Sequence, residues 1–204
     1  MAKSSYHHGD LKNALIQAGL AVLAEDGAAG LSLRKVASRA GVSHSAPYAH
    51  FTDKQALIAA ISTEGFRRLQ AALDAANAAA GSDPAERLVE VAWAYARFAL
   101  ENRDWFKVMF SGLLENQHDY PDFVAISHEN FARFEQQVSE YQQAGVVRPG
   151  PPDVTALSVW SLVHGFVSLL LEQQISSAIL DRVAVKDLLR ETLNHITLVD
   201  LGRV

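Results

Sequence analysis

The sequence predicts an all-α chain, with a small helix-turn-helix head at the N-terminus and a larger helical body behind it. Three observations carry this. Alanine and leucine are abundant and β-branched residues rarely cluster, which favours helix over sheet. Apolar residues recur at helical spacing through most of the chain. The gaps between the periodic stretches hold capping residues, glycines and prolines.

Nine helices are expected in order. The first runs from about Asp10 to Asp26, with Leu11, Leu15, Gly19, Val22 and Leu23 on one side and Gly27 as its stop. Ser32 caps a short second helix, whose Leu33, Val36 and Ala37 face inward, and Gly41 ends it. The third is expected over His44–His50 with Ser43 as its cap. Thr52-Asp53-Lys54-Gln55 has the capping-box pattern and opens a long fourth helix to about Ala80. Asp83-Pro84 starts a fifth, reaching Asn102, with Asp as cap and Pro at the first helical position. A sixth covers about Asp104–Leu114 and a seventh about Pro121–Ala144. After a Pro/Gly break, Asp153 is expected to cap an eighth helix running to Ser177. A ninth spans Val185–Leu201. The expected domains are a head of residues 1–58 and a body of residues 59–204.

Composition narrows the function. With 49% apolar and 20% charged residues, the 204-residue chain has enough material for a packed core. It has no cysteine, which excludes disulfides, thiolate metal sites and cysteine nucleophiles. The polar stretch Met1–Asp10 is no signal peptide. Val154–Leu171 is 18 residues without a charge, but its serines, Thr155 and His164 favour a core or interface helix over a membrane span. Neither membrane nor cofactor is therefore expected. The net charge is −5, yet residues 1–55 carry six Lys/Arg against four Asp/Glu, so the head alone is weakly positive.

The stretch Leu31–Lys54 is the most informative. Two short helices meet across Gly41-Val42-Ser43, where a glycine lets the chain reverse tightly. The outer face carries Arg34, Lys35 and Arg39, then Ser43, His44, Ser45, Tyr48 and His50, then Lys54. Cations, hydroxyls, a phenol and helix N-termini are the groups that hold phosphates and touch base edges. In helix-turn-helix geometry the second helix enters the major groove.

Gly30-Leu31-Ser32-Leu33-Arg34-Lys35-Val36-Ala37 and Gly41-Val42-Ser43 through Tyr48-x-His50-Phe51-x-Asp53-Lys54 closely resemble the TetR family of bacterial repressors, over about residues 8–58. The resemblance implies a cytoplasmic homodimer that binds a palindromic double-stranded DNA operator and answers to a small-molecule effector. It implies dimerisation through the eighth and ninth helices. It makes Arg34 similar to a base-contacting position, places His44, Ser45 and Ala46 at the base-reading positions, and makes Ser43, Tyr48, His50 and Lys54 look like backbone clamps. Pro47 departs from the family, where leucine or isoleucine is common. Proline cannot donate the helical bond back to Ser43, so the recognition helix is expected to start late or bend.

Trp160-x-x-x-His164-Gly165 resembles the Trp-His-Gly subgroup of TetR-like regulators, as does the opening Tyr6-His7-His8-Gly9-Asp10-Leu11. The His7-His8 pair reads as part of a basic arm reaching toward DNA. Aromatic residues concentrate in the fifth to seventh helices. Trp105, Phe110, Phe131, Trp160 and His164 are the candidates to line a largely apolar effector pocket, and packing alone is the alternative for each. No metal site is expected. The competing reading is an all-helical enzyme or small-molecule binder with an incidental helix-turn-helix. His118, His128-Glu129 and His164 would carry its chemistry, but neither HExxH nor GxSxG spacing occurs.

Overall fold

The computed structural model describes residues 8–202, with side chains from Leu11 onward. Tyr6 and His7 of the expected arm lie outside the described residues, and His8 is the first residue of a helix. The α-helices are α1 (His8–Gly30), α2 (Leu33–Arg39), α3 (Lys54–Ala79), α4 (Pro84–Glu101), α5 (Arg103–Phe110), α6 (Pro121–Gln143), α7 (Pro152–Leu171), α8 (Ser177–Leu180) and α9 (Val185–Asn194). Single 3₁₀ turns occupy Ala46–Ala49 and Gln117–Asp119. The described residues hold no strand, only an isolated antiparallel bridge between Val147 and Thr197. The all-α expectation is met.

Several boundaries differ from expectation, each for a local reason. Gly27 stops the first helical run as expected: at φ 68° and ψ −175° it interrupts α1. Ser32 caps α2 by accepting from Lys35 N at 3.2 Å, and Asp83 caps α4 by accepting from Ala85 N at 3.0 Å. Thr52 and Gln55 form no capping box. Asp53 caps α3 instead, accepting from Ala56 N at 2.8 Å. Asp153 is not a cap either: α7 begins at Pro152 behind Pro151, whose carbonyl accepts from Thr155 Oγ1 at 3.0 Å. The expected eighth helix stops early, at Leu171, because Gln173 takes a left-handed φ of 56° and its N–H folds back to Leu170 O. The expected ninth stops at Asn194, whose side chain accepts from Leu201 N at 2.8 Å, while Leu198 N bonds Val146 O at 2.8 Å. The expected sixth ends at Phe110, just before a turn at Gly112 with φ 69°.

The described residues divide into two compact units, which interleave along the chain. One comprises Met1–Arg67 and Asp104–Ser127, the other Arg68–Arg103 and His128–Val204. Compactness therefore groups α5 and the start of α6 with the head, where a boundary at residue 58 follows chain order alone.

In the first unit, Leu15, Val22, Leu33, Val36, Ala37, Phe51, Leu57 and Ile61 are buried. Gly19 lets α1 approach α3 closely, since a Cβ there would lie 3.0 Å from a Leu57 methyl and 3.1 Å from one of Ile61. An aromatic cluster continues this core. Phe66 meets Phe110 and Phe123 edge-on, at ring centroids 5.6 and 5.9 Å apart, and Phe106 packs on Phe110 at 4.9 Å.

In the second unit α4, α7 and α9 pack mutually. Leu88, Val89, Ala156, Val159, Val163, Val167, Leu189 and Leu193 are buried there. Two ion pairs tie α9 to α4: Lys186 to Glu90 and Arg190 to Glu86, each at 2.6 Å. Arg190 also donates to Leu201 O at 2.6 Å, which holds the C-terminal segment against α9.

Tyr141 on α6 is 1% exposed and its hydroxyl has no hydrogen-bond partner among the described residues. Burial pushes this phenol up to about 12. A buried hydroxyl without a partner costs on the order of 1–3 kcal/mol. Tyr141→Phe is therefore expected to leave urea-unfolding stability unchanged or raise it by about 1 kcal/mol; a clear loss would show that the hydroxyl is bonded in solution.

Candidate nucleic-acid interface and effector-binding residues

The turn that ends α2 is built as expected. Gly41 takes φ 69°, and Val42 N returns to Ala37 O at 3.0 Å. The segment His44–His50, by contrast, is not an α-helix. It holds one 3₁₀ turn, Ala46–Ala49, and Pro47 explains it. Without an N–H, Pro47 cannot close an α-helical bond to Ser43 O. Ala46 N and Tyr48 N take the tighter bonds instead, to Ser43 O and Ser45 O at 3.0 and 3.2 Å. The late start expected from proline is what the backbone shows. Ser43 does not cap: its hydroxyl lies 3.1 Å from that of Ser45.

Pro47 is buried and anchors the turn to the head, which turns its neighbours outward. Ser43, His44, Ser45 and Tyr48 are exposed, and Ala46 is half-buried. Tyr48 is 62% exposed, the largest value among the exposed large apolar and aromatic side chains. Arg34 on α2 and Lys54 at the start of α3 are exposed as well. His50 departs from the group. It is half-buried, and its Nε2 lies inside the head with no hydrogen-bond partner among the described residues. Lys35 pairs with Asp26 at 2.8 Å, and Arg39 forms a two-pronged bond with Glu25, 2.6 Å for Nη2 to Oε1.

Gln55 has a role that sequence reasoning missed. Its amide donates to Leu113 O at 3.3 Å and accepts from Glu115 N at 3.2 Å, so it clasps the first turn of α3 to the loop after α5. The partners lie 58 and 60 residues away, and local pattern reading favours the nearer bond to Thr52.

The five effector-pocket candidates separate into two groups. Trp105, 6% exposed, and Phe110 belong to the core of the first unit, with Met109 and Phe66 as neighbours of that core. Phe131, Trp160 and His164 belong to the second unit. Phe131 meets Trp160 at 6.3 Å between rings, and Trp160 meets His164 at 5.6 Å. Tyr95 of α4 joins them. Trp160 Nε1 donates to the Tyr95 oxygen at 3.2 Å, and that hydroxyl lies 2.8 Å from His164 Nδ1. An indole N–H can only donate. The Tyr95 oxygen therefore accepts from Trp160, and the same hydroxyl is within hydrogen-bond distance of His164 Nδ1. Burial acts the same way on both groups: it pushes the Tyr95 phenol far above its ordinary range and lowers His164, so both stay neutral.

A second feature of this unit is a recess of about 290 Å³ between the end of α3 and α4. Ala75, Ala76, Ala79 and Ala80 line one side, and Glu90, Trp93, Ala94 and Arg97 the other. The alanine run was legible in the sequence only as a strong helix former. Its short side chains are also what leaves the space.

The lowered His164 makes a pH prediction. In the unfolded chain this imidazole titrates near its ordinary value, and in the native protein it titrates lower. Below about pH 6.5 the unfolded state binds the extra proton, so stability contributed by neutral His164 is complete above that pH and is lost progressively as pH falls from there through the lower native value. His164→Gln is expected to flatten the pH dependence of urea-unfolding stability between about pH 7.5 and 5.5; an unchanged slope would remove His164 as its source.

Comparison with known proteins agrees with this geometry. Residues 15–61 match the family of "Bacterial regulatory proteins, tetR family", and residues 88–193 match "Tetracyclin repressor-like, C-terminal domain". A protein of unknown function from Rhodococcus sp. RHA1 is 34% identical, with 95% of this chain and 96% of that one covered and a TM-score of 0.78. A regulatory protein of the tetR family from Rhodococcus RHA1 is 23% identical, covering 97% and 100%, with a TM-score of 0.73. A TetR family transcription regulator from Marinobacter aquaeolei VT8 is 18% identical, covering 92% and 95%, with a TM-score of 0.72. No curated protein matches. The exposed head, the all-α body and both family matches lead to one conclusion: the chain belongs to the TetR family and is a DNA-binding transcriptional regulator.

Proposed function

We propose that the chain is an effector-responsive repressor that binds a palindromic operator in the cytoplasm as a homodimer. The observation that carries the DNA-binding face is the outward display of Tyr48, His44 and Ser45 on a turn pinned by buried Pro47. In this reading Arg34, His44, Ser45 and Ala46 read base edges. Ser43, Tyr48 and Lys54 hold phosphates, and His50 shapes the segment from inside the head. Two heads would occupy successive major grooves about 34–36 Å apart.

The proposed dimer uses α7 and α9. Pro152–Leu171 is long and apolar enough to cross a membrane by length and composition. Its two faces support an interface instead. Ala156, Val159, Val163, Phe166 and Val167 are buried on one side. Val154, Leu157, Ser161, Gly165 and Leu169 form a stripe at helical spacing on the other, with Val154, Leu157 and Leu169 each at least 50% exposed. A Cβ on Gly165 would meet nothing within 4 Å in this chain, so the glycine leaves room for a second copy. The effector is proposed to be largely apolar and to be sensed by Phe131, Trp160 and His164, where aromatic walls surround one oriented imidazole. Trp105 and Phe110 belong to the core of the other unit. An effector that prefers one head spacing over another would shift the population of DNA-competent dimers. The family assignment gives no support to the enzyme reading.

Selection of bound sequences from random duplex DNA tests the reading directly, and no selectivity at low salt would sink it. Tyr48→Phe and Lys54→Ala are each expected to weaken operator binding by about 3–30-fold while dimerisation stays intact, the cost of one charged or polar backbone contact. Lys54→Ala should also lower the salt slope by about 0.9. For the interface, Leu157→Glu with Leu169→Glu is expected to give monomers in sedimentation; an unchanged dimer would move the interface elsewhere.

A further inference from the structure

We infer that Glu25 and Asp26 sharpen the selectivity of the head by withholding two of its cations from DNA. The inference rests on the docking face proposed above. At about 100° per residue, the exposed surface of α2 has two flanks. Arg34 and Ser38 share one, and Lys35 and Arg39 share the other, with Leu33, Val36 and Ala37 buried behind them. The Lys35–Arg39 flank is turned to the end of α1. Lys35 lies 2.8 Å from Asp26, and Arg39 grips Glu25 with both of its terminal nitrogens. The Arg39 fork holds the Glu25 carboxyl below its usual range, so this pair stays charged on both sides. The Arg34 flank forms no ion pair among the described residues.

The charge balance makes the arrangement consequential. Residues 1–55 hold six Lys/Arg and four Asp/Glu, and Glu25 and Asp26 are half of those acids. Both sit against one flank of one seven-residue helix. Sequence-independent affinity for duplex DNA comes almost entirely from cations that meet phosphates, each adding about 0.9 to the salt slope. A cation whose charge a carboxylate already offsets gains less from a phosphate, and the carboxylate itself repels the backbone. Selective binding draws on base contacts as well, so it loses proportionally less. Selectivity is the difference of the two affinities, and suppressing the weaker mode widens it.

The test uses the full-length protein, a selected operator duplex and a random-sequence duplex of equal length, each titrated over a range of salt. Glu25→Gln with Asp26→Asn is expected to raise affinity for the random duplex several-fold. It should steepen the salt slope by about 0.9 for each freed cation. Operator affinity should rise less, so the ratio of the two falls. Adding Lys35→Gln and Arg39→Gln to the same protein should return the slope to its original value, which a purely structural role of the pairs would not do. Should the neutralised protein fail to fold by circular dichroism, the exchange Glu25→Arg with Arg39→Glu preserves the pair and is expected to keep the original slope; a changed slope there would overturn the inference. A folded, neutralised protein with unchanged slope and unchanged random-duplex affinity would overturn it too. An original protein that shows no operator selectivity would instead refute the docking face, and that measurement comes first.

Discussion

The head is built on α1, which packs on α2 and approaches α3 closely at Gly19. Gly19 contributes no side chain, and Leu57 and Ile61 fill the space a Cβ would take. That contact places the first turns of α3 inside the head rather than behind it. The rest of the DNA-facing surface is arranged around the same core: α2 lies across α1 through Leu33, Val36 and Ala37, and Phe51 closes the path from the 3₁₀ turn into α3. Core contacts of this kind tolerate little change in volume, so they fix where Arg34 and Lys54 emerge.

Much of this was legible in the sequence because its signals are local. The Ser32 and Asp83 caps, the Gly27 stop and the Gly41 reversal each depend on residues within three or four positions. Pro47 was legible for the same reason: a missing N–H is a covalent fact, and a 3₁₀ turn results from it. The capping box failed where a local rule met a distant competitor. Gln55 bonds Leu113 and Glu115, and Asp53 is left to cap α3. The over-long eighth and ninth helices have a similar origin. Apolar periodicity continues past Leu171 and Asn194, but backbone partners at Leu170 and Val146 take the chain elsewhere.

The body shows the same division between chemistry and placement. Trp160 and His164 one turn apart on α7 were visible as a pair. Tyr95, 65 and 69 residues earlier, was visible only as one aromatic residue among many, yet its hydroxyl is the group that both side chains meet. Trp105, Phe110, Phe131 and Trp160 looked alike in sequence because aromatic spacing marks burial without saying in which core. Their separation into two units arises from the return of Asp104–Ser127 to the unit that holds the head.

That return bears on how readily such a regulator could be rebuilt from parts. A graft that joins a foreign head at residue 58 would cut Gln55 from its partners at Leu113 and Glu115. A cut just after Phe66 would strip that ring of Phe110 and Phe123. The compact unit that holds the head also includes Asp104–Ser127. A workable chimera would have to import the segment equivalent to Asp104–Ser127 along with the first 67 residues, so modularity in this chain obeys spatial packing and not the order of synthesis.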